Sequence, residues 1–228
     1  RDNVREALER LRAADAGLRI IVVDDASPDG TADVVLEAMA RDGGVALVER
    51  PPKGGLASAY LDGFRRALDQ AADVVVEMDA DLSHRPEDLG GLLDGIRRHH
   101  VVIGSRYIPG GDVRNWSAFR RALSRGGNWY ARLLLGFPVR DATSGYRVFR
   151  AEALRELISD PIRSDGYGFQ IELAYRAWRR GFSVGEVPIT FVERRAGQSK
   201  LSRRIVVEAL WQVMVWGVRD RVLRRPYR

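Results

Sequence analysis

Short apolar runs rich in β-branched residues alternate with segments of helical period through the first hundred residues. This alternation constrains the fold more than any other feature of the chain. Residues 18–23, 45–48, 74–78 and 101–104 read as buried strands. Residues 4–14, 32–40, 56–68 and 86–97 read as helices, with Pro86 suited to a first helical turn. The pattern predicts an α/β protein: one Rossmann-like, mostly parallel sheet flanked by helices. Ligands of such sheets bind beyond the carboxyl ends of the strands. Two of those ends carry acids, Asp24-Asp25 and Asp79-Ala80-Asp81.

The second half is less regular. A long helix is expected over 116–135, loop and a short strand over 139–149, a helix over 169–180, a strand over 182–187 and a final helix over 201–218. The length of 228 residues and a hydrophobic content of 45% suit one domain with a full core. We place that domain at 1–200 and a C-terminal amphipathic basic helix at 201–228. Residues 194–228 carry ten Arg or Lys side chains against two acids, so the basicity of a chain with net charge +6 sits at this end. Such an end suits anionic lipid, phosphate or nucleic acid. Cysteine is absent, which excludes disulfide and thiolate chemistry and suits a reducing compartment. The opening Arg1-Asp2-Asn3 does not read as a signal peptide. The best apolar run, 205–218, is interrupted by Glu208 and Gln212 and falls short of a membrane span.

Four segments carry the chemistry. Asp79 and Asp81, spaced i, i+2 after a buried strand, can share one hard cation such as Mg²⁺ or Mn²⁺, and Ser83 can add a hydroxyl. In Asp24-Asp25-Ala26-Ser27-Pro28-Asp29-Gly30-Thr31, Asp25 can accept hydrogen bonds from a base or ribose, while Asp29 and Thr31 read as turn and cap residues. Gly104-Ser105-Arg106-Tyr107 offers Arg106 to a phosphate, and Arg120 with Ser124, one helical turn apart, can hold a second one. In the segment from Phe191 to Lys200, Gly197 permits a sharp loop, and Arg194 and Lys200 can close over a pyrophosphate.

Taken in order, "VDDASPDGT", "EMDADLSH", "VIGSRY" and "FVERRAGQSKLS", with "RDATSGYRVFR" and "DGYGFQIEL", resemble the polyprenol-phosphate (dolichol-phosphate) mannosyltransferases. These are family 2 glycosyltransferases with the GT-A fold, and the resemblance covers essentially the whole chain. It implies a GDP-mannose donor, a polyprenyl or dolichyl monophosphate acceptor and a divalent cation. By position it puts Val23 and Asp25 beside the nucleoside, and Asp79, Ala80 and Asp81 at the donor and metal, with Ser83 nearby. Arg106, Arg194 and Lys200 then hold donor phosphates, and Arg120 with Ser124 holds the acceptor phosphate. Members of the family begin with a strand ending in a Pro-Thr-Tyr-Asn-Glu-like motif. Such a strand is expected ahead of the first helix here.

The expected reaction is an inverting displacement at the anomeric carbon, with Asp81, Arg106, Arg194 and Lys200 as the catalytic group. Asp141 and Glu172 are further candidates for binding sugar or acting as a base. The expected location is peripheral, on the cytoplasmic face of a membrane, with a separate anchoring subunit or domain as a possible partner. Two rival readings are the same fold with another donor, such as UDP-glucose, and a nucleic-acid-binding module. No DNA or RNA recognition motif accompanies the basic end, so nucleic acid is not an expected partner.

Overall fold

A computed structural model of the chain describes residues 1–52, 55–162, 164–193 and 203–222, and within the last helix the side chains of 207–220. The chain runs α1 (Asp2–Ala14), β1 (Ile20–Asp24), α2 (Thr31–Arg41), β2 (Val45–Glu49), α3 (Leu56–Asp69) and β3 (Val74–Glu77). A 3-10 turn at Pro86–Asp88 leads into α4 (Leu89–Ile96), followed by β4 (Val101–Ser105), β5 (Asp112–Arg114) and α5 (Ala118–Leu135). The remainder is β6 (Arg147–Arg150), α6 (Ala151–Leu157), α7 (Gly166–Arg179), β7 (Val184–Pro188), β8 (Thr190–Val192) and α8 (Arg203–Val222).

The central sheet has the order β3-β6-β4-β7. β4 and β7 run parallel, and β6 lies antiparallel between β3 and β4. β1 pairs with β2, and β5 with β8, both in parallel. Thus three of the five ladders among the described residues are parallel, and β6 is the exception. It enters the sheet from the loop region at 139–149, where a short strand is expected. The elements absent from the sequence reading are β5, β8 and α6. The two strands are three residues each, too short to show a period.

β4 is buried on both faces, as a central strand should be. Val101 and Ile103 face the main core with Phe149, Phe169 and Leu173. Val102 faces the opposite core with Leu89, Leu92 and Val148 of α4 and β6. Local signals agree with the packing. Ser117 caps α5 by accepting the Arg120 N–H at 3.2 Å, and Gly136 ends that helix in the left-handed region at φ 67°. Helix α8 packs on α5 and α7, with Val213 in the main core. The approach is close at Gly217, where an added Cβ would stand 2.8 Å from the Leu134 carbonyl oxygen. No helix among the described residues is long and apolar enough to cross a membrane.

Candidate active site

The two acidic strand ends both hold on to α3. After β1, Asp24 is buried and accepts the Ser27 N–H at 3.1 Å, closing the turn. Asp25 accepts Arg50 Nη1 at 2.7 Å, and Arg50 reaches Asp62 of α3 through Nε at 2.8 Å. Val23 packs against Gly63 of the same helix. Asp29 accepts the N–H and the hydroxyl of Thr31, which is the expected turn chemistry. After β3, Asp79 Oδ1 accepts the hydroxyl of Tyr60, also on α3, at 2.5 Å. Asp81 Oδ1 accepts the Ser83 N–H at 3.0 Å and the Ser83 hydroxyl, while Ala80 is exposed. Both loops contain a non-glycine residue in the left-handed region: Ala26 at φ 54° and Leu82 at φ 62°. Each such conformation costs about 1–2 kcal/mol, and strain of this kind gathers at functional sites.

His84 backs the acid pair. It is buried between the rings of Tyr146 and Phe191, with Nδ1 3.4 Å from the Asp79 N–H that it accepts. Burial pushes its pKa down against the pull of Asp79 and Asp81, so the imidazole is neutral. Beneath β3, Glu77 accepts the Gln170 side-chain amide, and burial pushes its pKa up to about 8. Arg147, fully buried, donates to the carbonyls of Ala142, Ser144 and Gln170 at 2.7–2.8 Å. It thereby fixes the loop that lies beside Asp79. Gly145 in that loop leaves space beside Asp79: an added Cβ would stand 3.6 Å from Oδ2 and 3.7 Å from Oδ1.

The residues expected to hold phosphates divide differently from the sequence reading. Arg106 is buried and locked to Asp141, through Nε at 2.7 Å and Nη2 at 2.6 Å, with Thr143 at 2.8 Å. Asp141 has no exposed surface, and its charge raises the Arg106 pKa against the opposing effect of burial. Arg120 lies 4.1 Å over the Trp116 ring and donates to Glu193 at 2.6 Å. Ser124 accepts the Tyr107 hydroxyl at 2.7 Å. Arg106, Arg120 and Ser124 line one cavity of about 590 Å³ between α5, α7 and α8. The rest of its lining is largely apolar, with Leu123, Tyr130, Ile171, Leu210 and Val213. The structure therefore groups Arg106 with the Arg120–Ser124 face. Arg194 and Lys200 lie outside the described residues. Glu172 is buried against Ser164 and Arg176, and Asp141 against Arg106, so neither is placed to serve as a base.

The donor set at Asp79 and Asp81 fits a hard divalent cation. Among the described residues no group of three or more His, Cys, Asp or Glu side chains gathers to hold a metal ion. Two carboxylates alone suit Mg²⁺ or Mn²⁺, which complete their shells with water and phosphate oxygens, better than a closed nitrogen and sulfur site for zinc. Tyr60, Arg50, His84 and Glu193 went unnoticed in the sequence. Tyr60 and Arg50 act on site residues through contacts that no local motif records, whereas His84 and Glu193 lie within quoted motifs but were given no role there.

The sequence profile of glycosyl transferase family 2 matches residues 1–158. The chain belongs to that family. It is a glycosyltransferase, and the resemblance carried by the motifs extends along its whole length. It is 48% identical over 214 residues to an undecaprenyl-phosphate mannosyltransferase of Micrococcus luteus, covering 94% of this chain and 88% of that protein. It is 46% identical over 226 residues to a polyprenol monophosphomannose synthase of Mycolicibacterium smegmatis, covering 98% and 85%. The fold is shared with glucosyl-3-phosphoglycerate synthase of Mycobacterium tuberculosis. The complex of that enzyme with phosphoglyceric acid gives a TM-score of 0.67 at 20% identity, over 94% of this chain and 76% of that one. Its complex with Mn²⁺, uridine diphosphate and glucosyl-3-phosphoglycerate gives 0.64 at 20% identity, over 95% and 74%.

Proposed function

We propose that this glycosyltransferase moves mannose from GDP-mannose to a polyprenyl or dolichyl monophosphate, with inversion, yielding polyprenyl phosphate mannose and GDP. The observation that carries the reading is one cavity lined by two arginines and by largely apolar walls. That combination suits an amphiphile with a phosphate head and a hydrocarbon tail. The mannosyl group and the polyprenyl phosphate are those named for the two relatives above.

Val23 and Asp25 take the nucleoside. Asp79, Ala80 and Asp81 lie at the donor, where Asp79 and Asp81, with Ser83 nearby, would hold a divalent cation, and solved complexes of the structural neighbour are named with Mn²⁺ and Mg²⁺. When bound, such a cation would supply positive charge against the departing diphosphate. Arg194 and Lys200 close over the same diphosphate. Arg120 and Ser124 hold the acceptor phosphate, and Arg106, expected at the donor phosphates, lines the same cavity, which supports reading it on the acceptor side. A phosphate monoester has its second pKa near ~6, so its oxygen is ionised at neutral pH and needs no general base. The bond from that oxygen to the anomeric carbon forms as the bond to the diphosphate breaks, and the electron pair leaves on the diphosphate oxygen. The protein aligns two anions and screens their repulsion. The site lies at the cytoplasmic surface of a membrane, and the exposed apolar side chains of α5 and α8 are consistent with that.

The test is a donor screen with a short polyprenyl phosphate, Mg²⁺ or Mn²⁺, and product analysis of anomeric configuration. GDP-mannose should be used far better than UDP-glucose, the product should be inverted, and excess chelator should abolish transfer. Preference for UDP-glucose would overturn the donor, a retained configuration the mechanism, and full activity in chelator the cation.

A further inference from the structure

We infer that Tyr60 is a positioning residue for the cation: its hydroxyl holds one oxygen of Asp79, leaving the other to the metal. The inference rests on the reading of Asp79 as a cation ligand. Tyr60 donates to Asp79 Oδ1 at 2.5 Å from a helix that is 19 residues away in sequence. The ring is not free to swing. It stacks on buried Phe169 at 5.9 Å with planes 7° apart, and lies 6.0 Å from buried Phe64. The first turn of α3 is itself tied down, since Asp165 accepts the Ala57 N–H at 2.8 Å.

The chemistry of the contact runs one way. A phenol O–H donates, and an ionised carboxylate, with no proton of its own, only accepts. Asp79 Oδ2 receives no hydrogen bond among the described residues. His84 Nδ1 lies 3.8 Å from Oδ2 and already accepts the Asp79 N–H. Gly145 presents no side chain there, where an added Cβ would come into contact with Oδ2 at 3.6 Å. The Asp79 carboxylate is thus fixed at one oxygen and available at the other. With two protein carboxylates in the set, losing the order of one of them should matter. Partners that orient metal ligands are commonly worth 10–100-fold in metal affinity.

The experiment is a titration of the full chain with Mn²⁺, alone and with GDP, followed by electron paramagnetic resonance of the free ion. Tyr60→Phe keeps the ring stack and removes only the hydroxyl, so its melting temperature should stay close to the parent. Its Mn²⁺ dissociation constant should rise about tenfold. In an Asp79→Asn background the same substitution should have no further effect, whereas a merely structural role for Tyr60 would persist there. Unchanged Mn²⁺ affinity in Tyr60→Phe, beside a loss in Asp79→Asn, would overturn the inference. So would an equal loss in both backgrounds. Normal Mn²⁺ binding by Asp79→Asn would instead overturn the reading of Asp79 as a ligand.

Discussion

Arg50, Arg106 and Arg120 carry the same guanidinium into three different environments. Arg50 bridges Asp25 and Asp62, and so steadies the loop proposed to take the nucleoside. Arg106 is buried with Asp141, where removal of either partner would strand a charge at a cost of about 3–5 kcal/mol. Arg120 is held more lightly, by Glu193 and the Trp116 face, at the cavity wall. An acceptor phosphate can take the place of Glu193 there. Arg120→Ala should therefore raise the acceptor KM roughly tenfold, a loss of about 1.4 kcal/mol, with the donor KM unchanged. Steady-state kinetics with each substrate varied in turn would check this. A collapse of donor affinity with normal acceptor kinetics would refute the assignment.

Among the elements, α3 and α8 do the most to position the site. Tyr60 and Asp62 on α3 connect it to both acidic loops, so one helix sets their spacing. Helix α8 has two working faces. Ala209, Val213 and Gly217 pack inward, whereas Val207, Trp211, Val215 and Val218 form an exposed stripe at helical spacing. Gln212, which interrupts the apolar run in sequence, lies against Gly168 of α7. On α5, Phe119, Trp129 and Leu133 are exposed as well, with Phe119 at 78%. Because the inner face of α8 belongs to the core, deleting the helix would confound docking with unfolding. Replacing Val207, Trp211 and Val215 by Ser leaves that face intact. The triple variant should keep its melting temperature and lose most flotation with anionic vesicles, and the parent's binding should weaken at high salt. Equal flotation of parent and variant would refute docking through this stripe.

At the scale of the whole molecule, the buried polar layer under β3 ties stability to pH. Glu77 has an ordinary pKa of 4.5 and is raised to about 8 by burial, against the pull of Arg147. Between these values the folded protein holds a proton that the unfolded chain releases. Unfolding then sheds a proton, and stability declines as pH rises through that window, by at most ~1.4 kcal/mol per pH unit. Glu77→Gln can accept the same Gln170 amide without titrating. In chelator, the melting temperature of the parent relative to this variant should fall from pH 5.5 to 8. Parallel curves would show that Glu77 does not titrate in this range.

The alternation of apolar runs and helical segments determined the first half of the fold by itself, because period and burial are local properties that a strand or helix displays along its own length. The acids at the strand ends were legible for the same reason: Asp25, Asp79 and Asp81 each follow directly on an apolar run. The motif strings also carried the family, which a family profile over residues 1–158 and relatives at 46–48% identity bear out. Tertiary structure alone decided which residues share a cavity and which are already paired. Arg106 and Asp141 are 35 residues apart, Arg120 and Glu193 are 73, and Tyr60 and Asp79 are 19. No spacing rule links such pairs. Burial and packing bring them together, and whether a guanidinium meets a carboxylate of its own chain or an open wall depends on that packing.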